Sequence, residues 1–437
     1  MKSPLEGIKV IDVSQVIAAP LCARHLADFG ANVIHVENAK SGDFWRDFLQ
    51  DVGGVTAVPS HINYNWEVFN RNKKSIALDL SQKKGQEILH NIVESADIFV
   101  TNLRMYEREK FACDYKDLKE INPKIIYSSI TGLGKKGSER DAPAFDQTAY
   151  WNRAGVNRAM LPLGVNDTGY RAGLGDTIAA LGLYAGIMTA LFHRERTGVG
   201  QEVEFSLLGA GLYQLSFDVS GALVTGKDFL DMNENNSGRD DPIIIERERL
   251  IANVKESYDR LWEHLRENSP NPLYGAYFTK DAQIVHMNVL QPDRYWVRVC
   301  NALGIEHLID DPRFNRHEIR LTFHKDLYHI VKEVFSKFLL EDIYRRLINW
   351  GVPFAVQQKV SDVIHDQQAR VNNCFVDFEH PVYGPIEILA SPINLSETPA
   401  SYRLPAPEFS QHTEETLLEF GYNWDDISKL KEDRIIP

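Results

Sequence analysis

The chain has 437 residues, 43% of them hydrophobic and 10% aromatic, enough for a sizeable core and for two domains. Its 48 Lys and Arg against 61 Asp and Glu leave a formal charge of -13, which opposes binding to a nucleic acid or an anionic membrane surface. Any phosphate ligand must therefore be held by local cations.

From Pro4 to Gly7 the chain leads directly into a strand-like run with no hydrophobic signal core. The longest apolar stretch is about 15 residues against the roughly 20 of a membrane span, which reads as a soluble, cytoplasmic protein. Cys22, Cys113, Cys300 and Cys374 lie too far apart for a zinc site or redox dithiol and read as reduced, buried thiols. Ile8–Val13 is β-rich, Ala18-Ala19-Pro20 a small-residue turn, Leu21–Phe29 a helix ended by Gly30, and Asn32–Glu37 a second strand. Strand, helix and strand within about 30 residues make a βαβ unit and hence a parallel sheet. The rhythm recurs, with strands at Ser75–Leu80, Asp97–Thr101 and Lys124–Ile130 and helices at Lys83–Ser95 and Tyr115–Ile121. The fold class is α/β, with a doubly wound, Rossmann-like large domain whose ligands sit at the carboxyl ends of the strands. The loops to inspect are 14–20, 38–43, 102–104 and 131–146.

Leu174-Gly175-Asp176-Thr177 opens an apolar run to Phe192, closed by His193 to Arg196 and a Thr-Gly-Val-Gly break. With no polar face, this helix is expected to be buried all round, Gly182 and Gly186 admitting another backbone. By residue type Asp176 reads as its N-cap. Glu202–Ser206 is one more strand and Leu207–Val224 a helix; 228–241 is an acidic, Asn-rich loop or domain crossing, and 243–267 a charged helical segment. A hairpin over Tyr277–Met287 and a helix over Asp293–Leu303 predict a smaller α+β domain. A helical stretch over 321–349 precedes a mixed, Pro- and Gly-rich section of strands. The expected divisions are 1–225, 226–335, and 336–437 returning to the large domain.

Gly132-Leu133-Gly134-Lys135-Lys136-Gly137 has dinucleotide-site spacing, but the polar residues after it end in Pro143 rather than opening a helix, so nicotinamide binding lacks its phosphate cradle. A glycine-rich loop over a pocket is the expectation. Arg71, Lys73 and Lys74 concentrate charge before a strand; they are either a solvated turn or, with Arg104 and Lys110, phosphate-holding cations. No serine-hydrolase elbow, zincin helix or Walker loop occurs, and no histidine spacing suits a metal.

With these residues assembled, the chain resembles the family III CoA-transferases. The matches include Pro4 to Asp12, Gly30 to Ile34, Val36-Glu37, Ser41-Gly42-Asp43, Asn72 to Asp79, Ala96 to Asn102, Asn122 to Tyr127, Ala144 to Asp146, Gly175-Asp176, Arg196 to Gln201, Asp311 to Phe314 and His412 to Glu415. The resemblance implies an interlocked, ring-like homodimer and a catalytic Asp176. Acyl-CoA and a carboxylic acid would be the substrates, with no metal and no tightly bound cofactor. It places Val16, Ile17 and Ala18 near the pantetheine and thioester, Leu78 and Asp79 near the adenine, Asn102, Leu103 and Arg104 along CoA, and Lys110 at a phosphate. Ala142, Pro143, Ala144 and Phe145 fall beside the thioester, followed by Asp146.

There are departures. Asn38 replaces a frequent arginine, unless Lys40 substitutes, and the glycine loop of formyl-CoA transferases has no counterpart in 228–241. Related racemases carry a histidine where this chain has Phe145, so transfer is favoured over two-base proton exchange. Tyr150, Trp151 and Arg153 are either acyl-pocket residues or ordinary packing. The amides of the 132–137 loop are expected to serve a developing oxyanion rather than to clamp Asp176 at rest.

Overall fold

Six parallel strands carry the computed structural model, which describes residues 2–47, 58, 60–160, 171–227, 263, 266–267 and 269–437. They are β1 (Lys9–Val13), β2 (Asn32–Asn38), β3 (Lys73–Leu78), β4 (Ile98–Thr101), β5 (Ile126–Thr131) and β6 (Glu202–Ser206), in the order β3-β2-β1-β4-β5-β6. This is the doubly wound arrangement, with its switch point between β1 and β4. Alternate side chains feed two cores. Val10, Val33, Val100 and Ile130 face helices α1 (Ala18–Asp28) and α2 (Tyr64–Asn70) on one side. Ile11, Ile34, Ile76 and Phe99 face α3 (Lys83–Glu94) on the other. The near-continuous apolar strands are explained by burial on both faces. The turn expected at Ala18-Ala19-Pro20 is instead the first turn of α1, where proline's missing N–H removes no helical bond.

Two short helices, α4 (Met105–Lys110) and α5 (Tyr115–Ile121), flank β4 and β5, and α6 (Leu174–Thr197) follows. By composition α6 is long and apolar enough to cross a membrane, but Ala179, Leu183 and Ile187 pack into the first core. The expected burial on all sides does not hold: Leu181 and Phe192 are exposed. Gly182 and Gly186 make room for side chains rather than backbone, since a Cβ there would meet Phe205 at 2.4 Å and Val203 at 2.7 Å. The helix expected over 207–224 breaks at Leu215 into α7 (Leu207–Gln214) and α8 (Ser216–Thr225).

The chain divides into two compact units, residues 1–232 with 370–437 and residues 233–369. The segment 228–241 and nearly all of 243–267 lie outside the described residues. In the second unit β7 (Tyr274–Phe278), β8 (Ile284–Asn288) and β9 (Phe354–Val356) form an antiparallel sheet. Its core joins Tyr277 and Val285 to α9 (Pro292–Leu303), α10 (His324–Lys337) and α11 (Leu340–Asn349). The helical stretch over 321–349 is interrupted where Phe338 and Leu339 turn extended. On re-entry to the first unit, β10 (Phe375–His380) pairs with β11 (Gly384–Leu389). The section expected to be strands then ends in two helices, α12 (Thr413–Glu419) and α13 (Trp424–Glu432), whose Leu417, Ile427 and Leu430 complete the second core. Cys22, Cys113 and Cys300 are buried, whereas Cys374 is exposed.

Arg71, just before β3, and Lys73 and Lys74, which begin it, hold the fold together rather than a phosphate. Lys73 is buried and donates to Asp12 Oδ2 (2.9 Å) and Asn70 Oδ1 (2.8 Å). Arg71 grips Asp28 at 2.9 and 3.1 Å and donates to the Leu389 carbonyl, and Lys74 pairs with Glu415 and Glu419. Asp12 also bonds His35 Nδ1 at 2.9 Å, while Asp43 lies 3.6 Å from His35 Nε2. Burial alone would raise the Asp12 pKa, yet Lys73 and His35 outweigh it and hold it well below the carboxylate range. Burial likewise opposes the His35 imidazolium, but Asp12 and Asp43 push its pKa up to about 9.

Lys73→Met leaves Asp12 short of a counter-charge in the interior and is expected to destabilise the fold by about 3–5 kcal/mol, read as a lower urea midpoint. For His35 the folded pKa exceeds the unfolded 6.5, so its contribution is complete below pH 6.5 and is lost as pH rises through about 9. His35→Gln is expected to remove that part of the pH dependence of the midpoint.

Candidate active site

The carboxyl ends of β1 to β5 open onto one groove. Its first cleft runs over β2 and β3 and is bordered by Asn38, Lys40, Leu78, Asp79, Leu103 and Lys110. The second runs over β4 and β5, bordered by Ala18, Asn102, Arg104, Arg140, Ala144 and Asp176 among others. Each is about 280 Å³, small for a cofactor-sized ligand, but Gln15, Leu103 and Glu107 wall both, making one continuous channel. A third cavity, on the other side of Asp176, is bordered by Val16, Ile17, Phe44, Trp45, Phe145 and Asp146. Ala142 and Pro143 complete the second cleft, so the residues that the resemblance assigns to the site lie around this channel and, for Asp146, the third cavity.

Asp176 is not the N-cap of α6. The cap position is Gly173, left-handed at φ 78, and Asp176 sits in the first turn. Capping falls to Asp146, whose Oδ2 accepts from the Gly173 amide at 3.0 Å and Oδ1 from the Gly175 amide at 2.9 Å. Gly175 has to be glycine, because a Cβ would meet the Tyr150 ring at 2.3 Å and Asp146 Oδ1 at 2.4 Å. With the helix amides satisfied elsewhere, no described side chain or amide donates to the Asp176 carboxylate. Burial, then the neighbouring Asp146 charge, push its pKa up to about 7. Burial also raises Asp146, in spite of the Gly175, Gly173 and Asp176 amides and the Trp151 side chain that bond it.

The loop before α1 forms the opposite wall. Val16 adopts φ 74, a costly conformation for a β-branched residue. Its amide points at both Asp43 carboxylate oxygens at 3.3 Å, and Asp43 also accepts from the Trp45 amide at 2.8 Å. Asn102 locks the residue before it, accepting from the Gln15 amide at 3.0 Å and donating to the Gln15 carbonyl at 2.7 Å. The sequence does not reveal this bracing role, since the partners are 87 residues apart.

Lys40 reaches Asp79 at 2.8 Å, and with the Ser81 and Gln82 side chains it holds Asp79 below the usual carboxylate range despite partial desolvation. Arg104 contacts the Tyr106 hydroxyl and lies 3.5 Å from Glu107. The glycine loop after β5 is irregular from 132 to 145, without a helix to receive a pyrophosphate. Gly132 borders the second cleft, and the Gly134 and Lys135 amides are engaged at rest, donating to Thr131 Oγ1 and Glu204. Tyr150 and Trp151 are buried edge to face at 5.7 Å, Trp151 also bonding Asp146 through its side chain, and exposed Arg153 pairs with Glu139; none of the three is among the residues bordering these cavities. The aromatic residues that do border the third cavity are Phe44, Trp45 and Phe145, and the first two directly follow the Ser41-Gly42-Asp43 match and could have been found from it.

The sequence pattern of CoA-transferase family III matches residues 5–242 and 256–413. The chain is similar to (R)-2-hydroxy-4-methylpentanoate CoA-transferase of Clostridioides difficile, 30% identical over 434 residues and covering 99% of both proteins. Cinnamoyl-CoA:phenyllactate CoA-transferase of Clostridium sporogenes is 31% identical, over 98% of this chain and 96% of that protein. In fold, a solved CaiB/BaiF family protein from Brucella suis superposes with a TM-score of 0.74 at 23% identity, over 96% of this chain and all of its own.

A carboxylate whose folded pKa is raised makes the native state bind its proton more tightly than the unfolded chain. The contribution of Asp176 to stability is therefore greatest below pH 3.8 and is lost as pH rises to about 7. Asp176→Asn is expected to raise Tm above pH 7 and to leave it nearly unchanged in acid, checked by thermal melts across that range.

Proposed function

The chain belongs to CoA-transferase family III, and from that premise we propose that it moves CoA from an acyl-CoA donor to a carboxylic acid through covalent intermediates on Asp176. The observation that carries this reading is the placement of one carboxylate, with no donor among the described residues, between a groove that carries Lys40, Lys110, Arg104 and Arg140 and an apolar cavity. Lys40 and Lys110 suit the phosphates of CoA in the first cleft, and the second leads a pantetheine arm to Asp176.

One Asp176 oxygen attacks the thioester carbonyl carbon, the C–S bond breaks, and CoA leaves as thiolate, giving a mixed anhydride. The thiolate then attacks the aspartyl carbonyl carbon, releasing the donor acid and forming an aspartyl-CoA thioester. The acceptor carboxylate attacks that thioester and expels CoA thiolate again. Attack of the thiolate on the acceptor carbonyl of the new anhydride yields the product and frees Asp176. No step needs a proton, so no general base is required. The raised basicity of Asp176 favours it as a nucleophile, and apolar walls shelter the anhydride from water.

A racemase would need a second base beside Asp176, and position 145 offers a phenyl ring instead. The reading also includes the interlocked, ring-like homodimer. Leu181 and Phe192 on α6 and Tyr213, Phe217 and Val224 on α7 and α8 are exposed apolar surface of the kind subunits bury. A cytoplasmic location suits the free thiols of Cys22, Cys113 and Cys300.

Asp176→Ala is expected to lower acyl exchange by on the order of 10⁴-fold or more and to abolish the CoA adduct seen by intact-protein mass spectrometry, with an unchanged circular dichroism spectrum. Retained turnover would end the assignment. Light scattering is expected to give twice the chain mass, and a monomer would count against the dimer.

A further inference from the structure

The cavity beyond Asp176 differs in chemistry from the two clefts. Phe44, Trp45, Phe145, Ile17 and Ala172 supply an apolar lining, and the neutral polar side chains are the amides of Gln15 and Gln147. The clefts carry Lys40, Lys110, Arg104 and Arg140, whereas no Lys, Arg or His is among the described residues bordering this cavity. Arg46, which follows Trp45, is committed: it donates to Glu37 at 2.6 and 2.7 Å and to the Pro407 carbonyl at 3.1 Å. The charged groups at the cavity are Asp146 and Asp176, both carboxylates.

An acyl group whose carbonyl sits against Asp176 while its CoA lies in the clefts must extend its remaining chain into this cavity. An apolar chain gains by leaving water there. A second carboxylate would lose its hydration, meet two like charges and find no counter-ion among the described residues that border the cavity. The cavity also has rigid reasons for its shape. Trp45 is fixed through Asp43, and a Cβ on Gly173 would already stand 3.0 Å from Ile17 Cδ1.

We infer that this cavity is the acyl side-chain pocket, and that it selects monocarboxylic acids bearing an aromatic or branched apolar group over dicarboxylic acids of similar length. The inference rests on the transferase reading. It assigns Phe44, Trp45 and Phe145 as specificity-determining residues of the acyl side.

The test uses the full chain with 4-methylpentanoyl-CoA, 3-phenylpropanoyl-CoA and glutaryl-CoA as donors. Two quantities are read, kcat/KM for exchange with the matching isotope-labelled acid and formation of the Asp176 adduct by mass spectrometry. The two apolar donors are expected to exceed glutaryl-CoA by roughly 100-fold in kcat/KM. Exposed Ala172 tolerates a long side chain, and Ala172→Arg, by bringing a cation to the rim, is expected to narrow that preference by about 10-fold or more. Adduct and exchange with glutaryl-CoA at least as efficient as with the apolar donors would overturn the pocket assignment and leave the transferase reading intact. An unaltered preference in Ala172→Arg would overturn it as well. Absence of adduct and exchange with every donor would overturn both readings.

Discussion

The ion pair between Asp12 and Lys73, with His35 on the same carboxylate, is the interaction on which the site-bearing half of the molecule depends. It joins β1, β2 and β3 inside the sheet, where all three side chains are excluded from solvent. Three charged groups in a dry interior are costly alone and tolerable only as a set. The set does not end at the sheet. His35 faces Asp43, Asp43 takes the Val16 amide, and Val16 holds the strained backbone that walls the channel beside Asp176. Strain of this sort persists only where surrounding bonds over-determine it. The internal charge cluster is thus also the scaffold of the loop that faces the carboxylate.

A second division of labour concerns the two aspartates. A helix N-terminus attracts carboxylates, and a carboxylate seated there is stabilised as an anion and dulled as a nucleophile. By giving the cap to Asp146, the fold leaves Asp176 in the first turn without donors among the described residues, while Asp146 adds a repulsive charge that pushes it further from the ordinary carboxylate value. Gly175 makes the arrangement sterically possible, because Asp146 and Tyr150 occupy the space of its absent side chain.

Much of the first domain is legible in sequence because its determinants are local. Gly30 after an apolar helix, β-rich hexads and the helix–strand rhythm place β1 to β5 within a few residues. The family resemblance, borne out across nearly the whole chain, points to Asp176 where residue type alone reads a cap. What stays hidden depends on partners far away in the chain. Arg71 and Lys73 look like free cations until Asp28 and Asp12 are brought beside them. Asp146 looks unremarkable until the Gly173 amide meets it. An apolar helix such as α6 reads as wholly buried, since sequence does not record which neighbours fail to cover Leu181 and Phe192. The closing helices α12 and α13 are short and follow a Pro-rich stretch, so composition hides them.

The hydrogen bonds along β3 carry a consequence for how the chain is made. The edge of β3 is stitched by the His412 amide donating to the Ser75 carbonyl, by Thr413 Oγ1 accepting from the Ala77 amide, and by the Asp79 amide donating to the Ile435 carbonyl. All three partners emerge from the ribosome only after the whole second unit. Until then the nascent sheet has an open margin beside the very cleft that carries Leu78 and Asp79, at high contact order and with exposed strand edge. Synthesis of the channel is therefore completed last, by a segment that contributes no side chain bordering Asp176, and the growing chain must keep that margin from pairing with other molecules in the meantime.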